Sequence, residues 1–196
     1  MLEKILNPSP TQIAFIGLLV FLAIQRLLEL RHSQKNEAWI IAQGGREYFP
    51  RHFIFMKLTH TLWFFAMLAE VLLLGPAFNI YLAIPALVLT IAGQVLRYLA
   101  IRTLGKRWSV RIMALPGGPP VTGGIYKFIR HPNYLGVVLE IIAVPLLHGA
   151  FISAIVFTIM NAAVLYVRVR AEEQALREAN DYGSAFAERG RFLPGL

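Results

Sequence analysis

Thirteen consecutive residues hold side chains suited to chemistry: Gly124-Ile125-Tyr126-Lys127-Phe128-Ile129-Arg130-His131-Pro132-Asn133-Tyr134-Leu135-Gly136. His131 precedes a proline, which steers it into extended geometry, and Pro132 suits the first position of a helix. Arg130 and His131 therefore stand at a helix N-terminus, where the backbone favours anions. Arginine adds a planar fork that fits carboxylate or phosphate, and Gly136 lets a second backbone or a ligand approach closely. The plainer reading of the same residues is a basic anchor at a membrane surface with an interfacial tyrosine. A second cluster is Arg168-Val169-Arg170-Ala171-Glu172-Glu173. Arg168 with Glu172, and Arg170 with Glu173, have the spacing of salt-bridged neighbours on a solvated helix. Its carboxylates would equally suit a sugar diol or an amine. Four more ionisable residues lie inside apolar stretches and are functional candidates on that ground: His60, Glu70, Arg97 and Glu140. His60 and Trp63 form a helical pair that can line a groove for an apolar substrate. Arg97 can pair with a glutamate to hold helices together, Glu70 lies near the outer end of its stretch, and Asn161 suits an interhelical hydrogen bond.

The elements that must position these residues follow from composition. The chain has 196 residues, 57% hydrophobic and 15% charged, with a net charge of +8. Soluble domains carry about 25% charged residues, so an apolar excess gathered in blocks indicates an all-α integral membrane protein. The basic residues sit in connections between apolar blocks, which assigns them to membrane orientation and anionic lipid and not to nucleic acid. Cysteine is absent, which excludes disulfides and thiolate metal sites, and the histidines lack metal-ligand spacing. The start, Met1-Leu2-Glu3-Lys4, has no basic segment and no cleavage site follows, so the first apolar block is expected to be retained.

Five spans are expected, at about 11–30, 53–74, 78–101, 134–147 and 151–169, within a single membrane domain over 1–196. The fourth is short, roughly 21 Å against a hydrocarbon core of roughly 30 Å. Spans four and five form a helical hairpin, and the fifth helix extends beyond the membrane. Lys and Arg gather in the first and third connections and at the C-terminus, while the second and fourth connections hold none. This places the N-terminus outside and segments 102–133 and 170–196 in the cytoplasm. The hairpin then brings Arg130-His131-Pro132 and Glu172-Glu173 to one membrane face. Neither cluster is a site alone; together they offer a cation for an acid group and carboxylates for a diol or amine. No dinucleotide-binding glycine fingerprint, P-loop, H-E-x-x-H or G-x-S-x-G occurs in the chain.

Tyr126-x-x-x-Arg130-His131-Pro132-x-Tyr134-x-Gly136, followed by a short hairpin and Arg170-x-Glu172-Glu173-x-x-Leu176, resembles the isoprenylcysteine carboxyl methyltransferase family. The likeness covers roughly residue 97 to the end. It implies a multi-span membrane enzyme that uses S-adenosylmethionine, with a cytoplasmic pocket built from the loop before helix four and the C-terminal helix. By the resemblance, Tyr126, His131, Pro132, Tyr134, Gly136, Glu172 and Glu173 line the cofactor pocket. Arg130 or Arg170 helps to hold the cofactor's carboxylate or the acceptor. Gln25-Arg26-Leu27-x-Glu29-Leu30-x-x-Ser33-x-x-Asn36 and His60-x-x-Trp63 resemble a bacterial branch, encoded beside type III polyketide synthases, that methylates phenolic lipids such as alkylresorcinols or alkylpyrones. Asn180-Asp181-Tyr182-Gly183 stands where the family often has Phe-Gly before a tyrosine.

Methyl transfer from a sulfonium requires alignment and exclusion of water. A carboxylate acceptor is already ionised at neutral pH, whereas a phenol, with a pKa of about 10, benefits from a base. His131 is the expected base and Glu140, if close, its orienting partner. His60, Trp63 and Arg97 are the expected substrate groove. The expected acceptor is lipophilic, either an isoprenylcysteine-type carboxylate or a phenolic-lipid hydroxyl, taken from a bacterial inner membrane. The competing reading is a non-enzymatic lipid-binding or small transport bundle, in which both motifs are anchors.

Overall fold

The computed structural model describes residues 7–194; Met1-Leu2-Glu3-Lys4 and the final Gly195-Leu196 lie outside the described residues. Its first helix, α1, is Pro10–Ala42. Ser9 caps it, accepting from the Gln12 amide at 3.3 Å while the Gln12 side chain accepts from Ser9 N at 2.8 Å. The helix runs well past the expected span at Leu30, through the connection expected to be polar. Gln25, Glu29, Ser33 and Asn36 keep one face of it occupied with partners. The buried Asn36 amide donates to the Trp108 and Gly105 carbonyls at 2.8 and 3.2 Å. The Ser33 hydroxyl accepts from Val110 N at 2.9 Å. A short strand, β1, Arg46–Tyr48, pairs antiparallel with β2, Ile112–Ala114.

Helix α2, Arg51–Ala69, continues into a wide turn over Glu70–Leu74 and stops at Gly75 in the left-handed region (φ 58°). Helix α3 is Ile80–Leu104. Helix α4, Pro132–Leu146, opens on its proline as the sequence predicts, and α5 is Phe151–Ala179. The four-residue α6, Tyr182–Ala185, precedes the tail. The protein is thus an all-α membrane architecture apart from the two-stranded ribbon. Among the described residues, four helices are long and apolar enough to cross a membrane, and Pro132–Leu146 is a shorter fifth apolar helix.

Two contacts fix the bundle around α4. Gly93 and Gly136 meet face to face: a β-carbon on Gly136 would come within 2.7 Å of the Gly93 carbonyl oxygen and of Arg97 Cγ. Only the missing side chains let α3 and α4 approach so closely. Gly136 is therefore a helix-packing residue, away from the ligand contact that the resemblance implied for it. At the far end Glu70 accepts from Ile152 N, Ser153 N and Ser153 Oγ at 3.0, 2.7 and 2.7 Å. It caps the first turn of α5.

Candidate active site

At the other end, where α4 begins and α5 finishes, the two sequence clusters meet. His131 is the N-cap of α4 in a non-helical conformation (φ −127°, ψ 56°), out of the helical region as a pre-proline residue should be but short of the extended geometry expected. Its ring stacks on Tyr134 with centroids 5.4 Å apart, and its Nε2 lies 3.1 Å from Glu173 Oε1. Tyr134 donates to Glu172 and accepts from Arg168 Nε at 2.8 Å. Glu173, 1% exposed, also accepts from Arg191 Nε and Nη2 at 2.9 and 2.9 Å and from Arg177 Nη2 at 3.3 Å.

The tail completes this end. Arg130 N donates to the Gly190 carbonyl and His131 N to the Arg191 carbonyl, both at 3.0 Å. Arg189 reaches back to the Tyr126 carbonyl at 2.9 Å. Phe192 lies against the His131 ring at 6.2 Å. Hydrogen bonds to Glu173 hold the Arg191 guanidinium above its ordinary range. Burial pushes the Tyr126 phenol well up, with Glu172 adding to it, and does the same to Tyr182, where Glu172 and Glu173 add to it. Both phenols are therefore donors at neutral pH.

These residues surround one end of a cavity of about 640 Å³. The chamber at this end is polar and is lined by Tyr126, Arg130, His131, Asn133, Tyr134, Arg168, Glu172, Asn180 and Tyr182. From it an arm runs between α1 and α2, past Arg26, Glu29, Arg97 and His60, to Ile16, Leu19 and Leu68. Val20, Leu27 and Phe65 line the arm and are 53, 60 and 66% exposed.

Where chamber and arm join, four charges balance. Arg26 pairs with Glu29 at 2.6 Å and with Glu140; Arg97 pairs with Glu29 and lies 3.5 Å from Glu140 through Nε. Two positive and two negative groups in contact tie α1, α3 and α4 together without leaving a bare charge in an apolar surrounding.

Several expected roles change. Glu140 is bonded to Arg26 and lies by Arg97, so it does not orient His131; Glu173 does. Arg170 is exposed and lies over the Tyr166 ring at 4.3 Å. Of the two arginines at 168 and 170, the one in the chamber is Arg168, 3% exposed, with Nη2 donating to the Val110 carbonyl at 2.6 Å. Trp63 is 3% exposed and packs edge-on to Phe64 at 5.0 Å, inside the core and not in the groove. Pro132 and Glu173 are buried behind the chamber wall, while His60 and Arg97 line the arm as expected. Asn161 lines the cavity as well. The signal for Arg168 was present: Asn161, Leu165, Arg168 and Glu172 recur at four, three and four residues, one helix face.

The chamber wall also holds buried polar atoms without partners. Asn133 Oδ1, Asn180 Oδ1 and the Tyr182 hydroxyl are buried without a hydrogen-bond partner among the described residues. Native interiors leave few such groups unsatisfied. All three residues line the cavity.

Comparison with known proteins gives the following. The model of the isoprenylcysteine carboxyl methyltransferase (ICMT) family matches residues 86–178, which includes both motifs. An uncharacterized protein of Bacillus subtilis, YpbQ, is 39% identical over 163 residues, covering 82% of this chain and 95% of its own length. An uncharacterized protein of Haemophilus influenzae is 30% identical over 152 residues, with 77 and 88% covered. Protein-S-isoprenylcysteine O-methyltransferase B of Arabidopsis thaliana is 28% identical over 110 residues, 55% of either chain.

Proposed function

The chain belongs to the isoprenylcysteine carboxyl methyltransferase family and is a membrane methyltransferase, and from that premise we propose that it transfers a methyl group from S-adenosylmethionine to an oxygen of a lipophilic acceptor. The observation that supports this reading is the meeting of Arg130-His131-Pro132 with Glu172-Glu173 around one chamber that opens into an apolar arm. A chamber lined by Arg130, Glu172, Tyr126 and Tyr182 fits a zwitterionic nucleoside. Glu172 and the Tyr126 and Tyr182 hydroxyls would hold its hydroxyl and amino groups, and Arg130 its carboxylate. When bound there, S-adenosylmethionine supplies an electrophilic methyl on a sulfonium.

The chain's own residues do the rest. The pair His131–Glu173 and the tail segment at 189–192 fix the chamber wall, so the bound groups meet preset partners. The arm between α1 and α2 would let an acyl or prenyl tail stay among apolar residues while its polar end reaches the chamber. The basic connections favour a cytoplasmic chamber, and the bacterial relatives favour an inner-membrane location. The acceptor is either an isoprenylcysteine-type carboxylate, which the Arabidopsis protein's name supports, or a phenolic-lipid hydroxyl.

The test is labelled methyl transfer by purified protein in lipid nanodiscs. The panel is farnesylcysteine analogues and alkylresorcinols, with cofactor binding measured in parallel. Labelled product from either class is expected. A chain that binds no S-adenosylmethionine at millimolar concentration is not a methyltransferase of this kind, and a lipid-binding bundle then explains the cavity better.

A further inference from the structure

The arm contains one titratable side chain that the charge quartet does not absorb. His60 sits about 13 Å along α2 from its first residue, at 1.5 Å per residue. That is a depth similar to Glu140 in α4, so His60 lies where chamber and arm join. Its Nδ1 is 2.8 Å from the Met56 carbonyl oxygen. A carbonyl only accepts, so Nδ1 carries the hydrogen. The ring lines the cavity and is partly exposed, and Nε2 has no partner among the described residues. Phe64, Phe65 and Leu68 form the wall beyond it. The charged groups that face the same stretch are Arg26, Glu29, Lys57, Arg97 and, from α5, Arg168, and Glu29, the one carboxylate among them, is fully engaged by Arg26 and Arg97. No carboxylate is left to neutralise an imidazolium, and an unpaired buried charge is costly. The neutral ring therefore presents a lone pair at Nε2 to whatever occupies the junction.

A lone pair selects its partner. A hydroxyl has a hydrogen to donate; a carboxylate has only lone pairs and meets the ring with repulsion. Resting on the methyl-transfer reading above, we propose that His60 is the catalytic base of a hydroxyl-bearing acceptor and selects it over a carboxylic acid. The acceptor's O–H bond breaks and the proton passes to Nε2. The oxygen keeps the electron pair and forms the O–CH3 bond as the S–CH3 bond of the sulfonium breaks, leaving a neutral thioether. The imidazolium then returns its proton to water through the chamber. His131, whose Nε2 faces Glu173, keeps the chamber's shape and is not needed for this step.

The experiment uses the full chain in nanodiscs, wild type and His60→Gln. Three acceptors are compared: 5-pentadecylresorcinol, a nitro-substituted alkylphenol already ionised at neutral pH, and N-acetyl-S-farnesylcysteine. The expected result is that H60Q loses on the order of 100-fold in kcat on the resorcinol and only a few-fold on the ionised phenol, which needs no base. A second readout involves no catalysis. Without S-adenosylmethionine, the wild type binds the resorcinol about 2- to 10-fold more tightly than its dimethyl ether, the worth of one hydrogen bond. In His60→Phe that preference disappears. H60Q that keeps its rate on the resorcinol, or loses equally on both phenols, overturns the assignment. So does a wild type that labels the farnesylcysteine acid alone; in these cases the methyltransferase reading stands. Absence of label from every acceptor together with absence of cofactor binding overturns both.

Discussion

Replacing Glu173 with glutamine tests the join between the two motifs. Glu173 holds four partners of unequal weight. Arg177 and Arg191 have side chains 54 and 47% exposed, so either can turn to water when the carboxylate is lost. Pairs of that kind contribute about 0.2–1 kcal/mol each. Arg130, 19% exposed, stands off at 3.8 Å. His131 differs: its side chain is 3% exposed and has no water to turn to. A hydrogen bond to a charged group contributes about 1.5–3 kcal/mol, and the buried ring forfeits that in full. E173Q keeps the shape and one acceptor oxygen but sets an NH2 among four donors, so a loss of about 2–4 kcal/mol follows. For a chain of this size that is a fall in Tm of roughly 5–15 °C. The assay is thermal unfolding in detergent of E173Q, Arg191→Gln and the double variant. R191Q should cost under about 1 kcal/mol, and the double variant little more than E173Q. If R191Q costs as much as E173Q, the tail arginine and not His131 is the main partner. An unchanged Tm in E173Q would mean that the two motifs do not depend on one another.

Other outcomes follow from the same contacts. Gly136→Ala places a β-carbon within 2.7 Å of the Gly93 carbonyl and Arg97 Cγ; it should lower stability by about 1–3 kcal/mol yet leave cofactor affinity of the folded fraction intact. A G136A protein of normal Tm and lost cofactor binding would restore Gly136 as a ligand contact. Arg168→Gln, in the chamber, should reduce methyl transfer by more than about tenfold, the scale of one lost charged hydrogen bond. Arg170→Gln, on the exposed side, should stay within about twofold, since surface substitutions cost little; equal losses would show that the helix phase is wrong. The Tyr126 and Tyr182 phenols are held neutral by burial. A raised folded-state value means that they favour folding below the ordinary phenol pKa of about 10, and that stability falls as pH rises beyond it. Tyr182→Phe should flatten that alkaline loss; a wild-type stability constant up to pH 11 contradicts it.

The parts of this molecule that hydropathy and local turn chemistry control were legible in the residues. Apolar blocks marked the helices, His131-Pro132 marked the start of α4, and chain reversal put Glu172-Glu173 opposite it. What was missed depends on helix phase and on distant backbone pairing. Arg168 and Arg170 are chemically alike, and only the face shared with Asn161, Leu165 and Glu172 separates them. Glu140 was placed near His131 by sequence distance, but six residues of helix beyond Tyr134 carry it about 9 Å away along the axis, to Arg26 and Arg97. The β1–β2 ribbon joins three-residue strands over 60 residues apart in sequence, too short for an alternating pattern to declare. The tail docks by backbone hydrogen bonds between 190–191 and 130–131, which no side-chain pattern announces.

The division of the cavity bears on how far family membership reaches. The family match spans 86–178 and so takes in α4, α5 and most of α3, the elements that carry the balancing arginine, the Arg-His-Pro turn and the paired glutamates. The arm is built from α1 and α2, and every residue of it from Ile16 to Leu68 lies outside that match. The plant methyltransferase shares about half its length with this chain, whereas the Bacillus and Haemophilus proteins share nearly all of theirs. On the proposed reading, methyl donation would belong to the chamber and acceptor choice to the arm, because the donor's polar groups need hydrogen bonds and a lipid tail needs apolar walls. The acceptor named for the plant protein thus carries least weight where the acceptor would sit. There the residues of this chain must be read directly, and among them His60, with its hydrogen on Nδ1 and its lone pair towards the junction, is the one whose chemistry separates a hydroxyl from an acid.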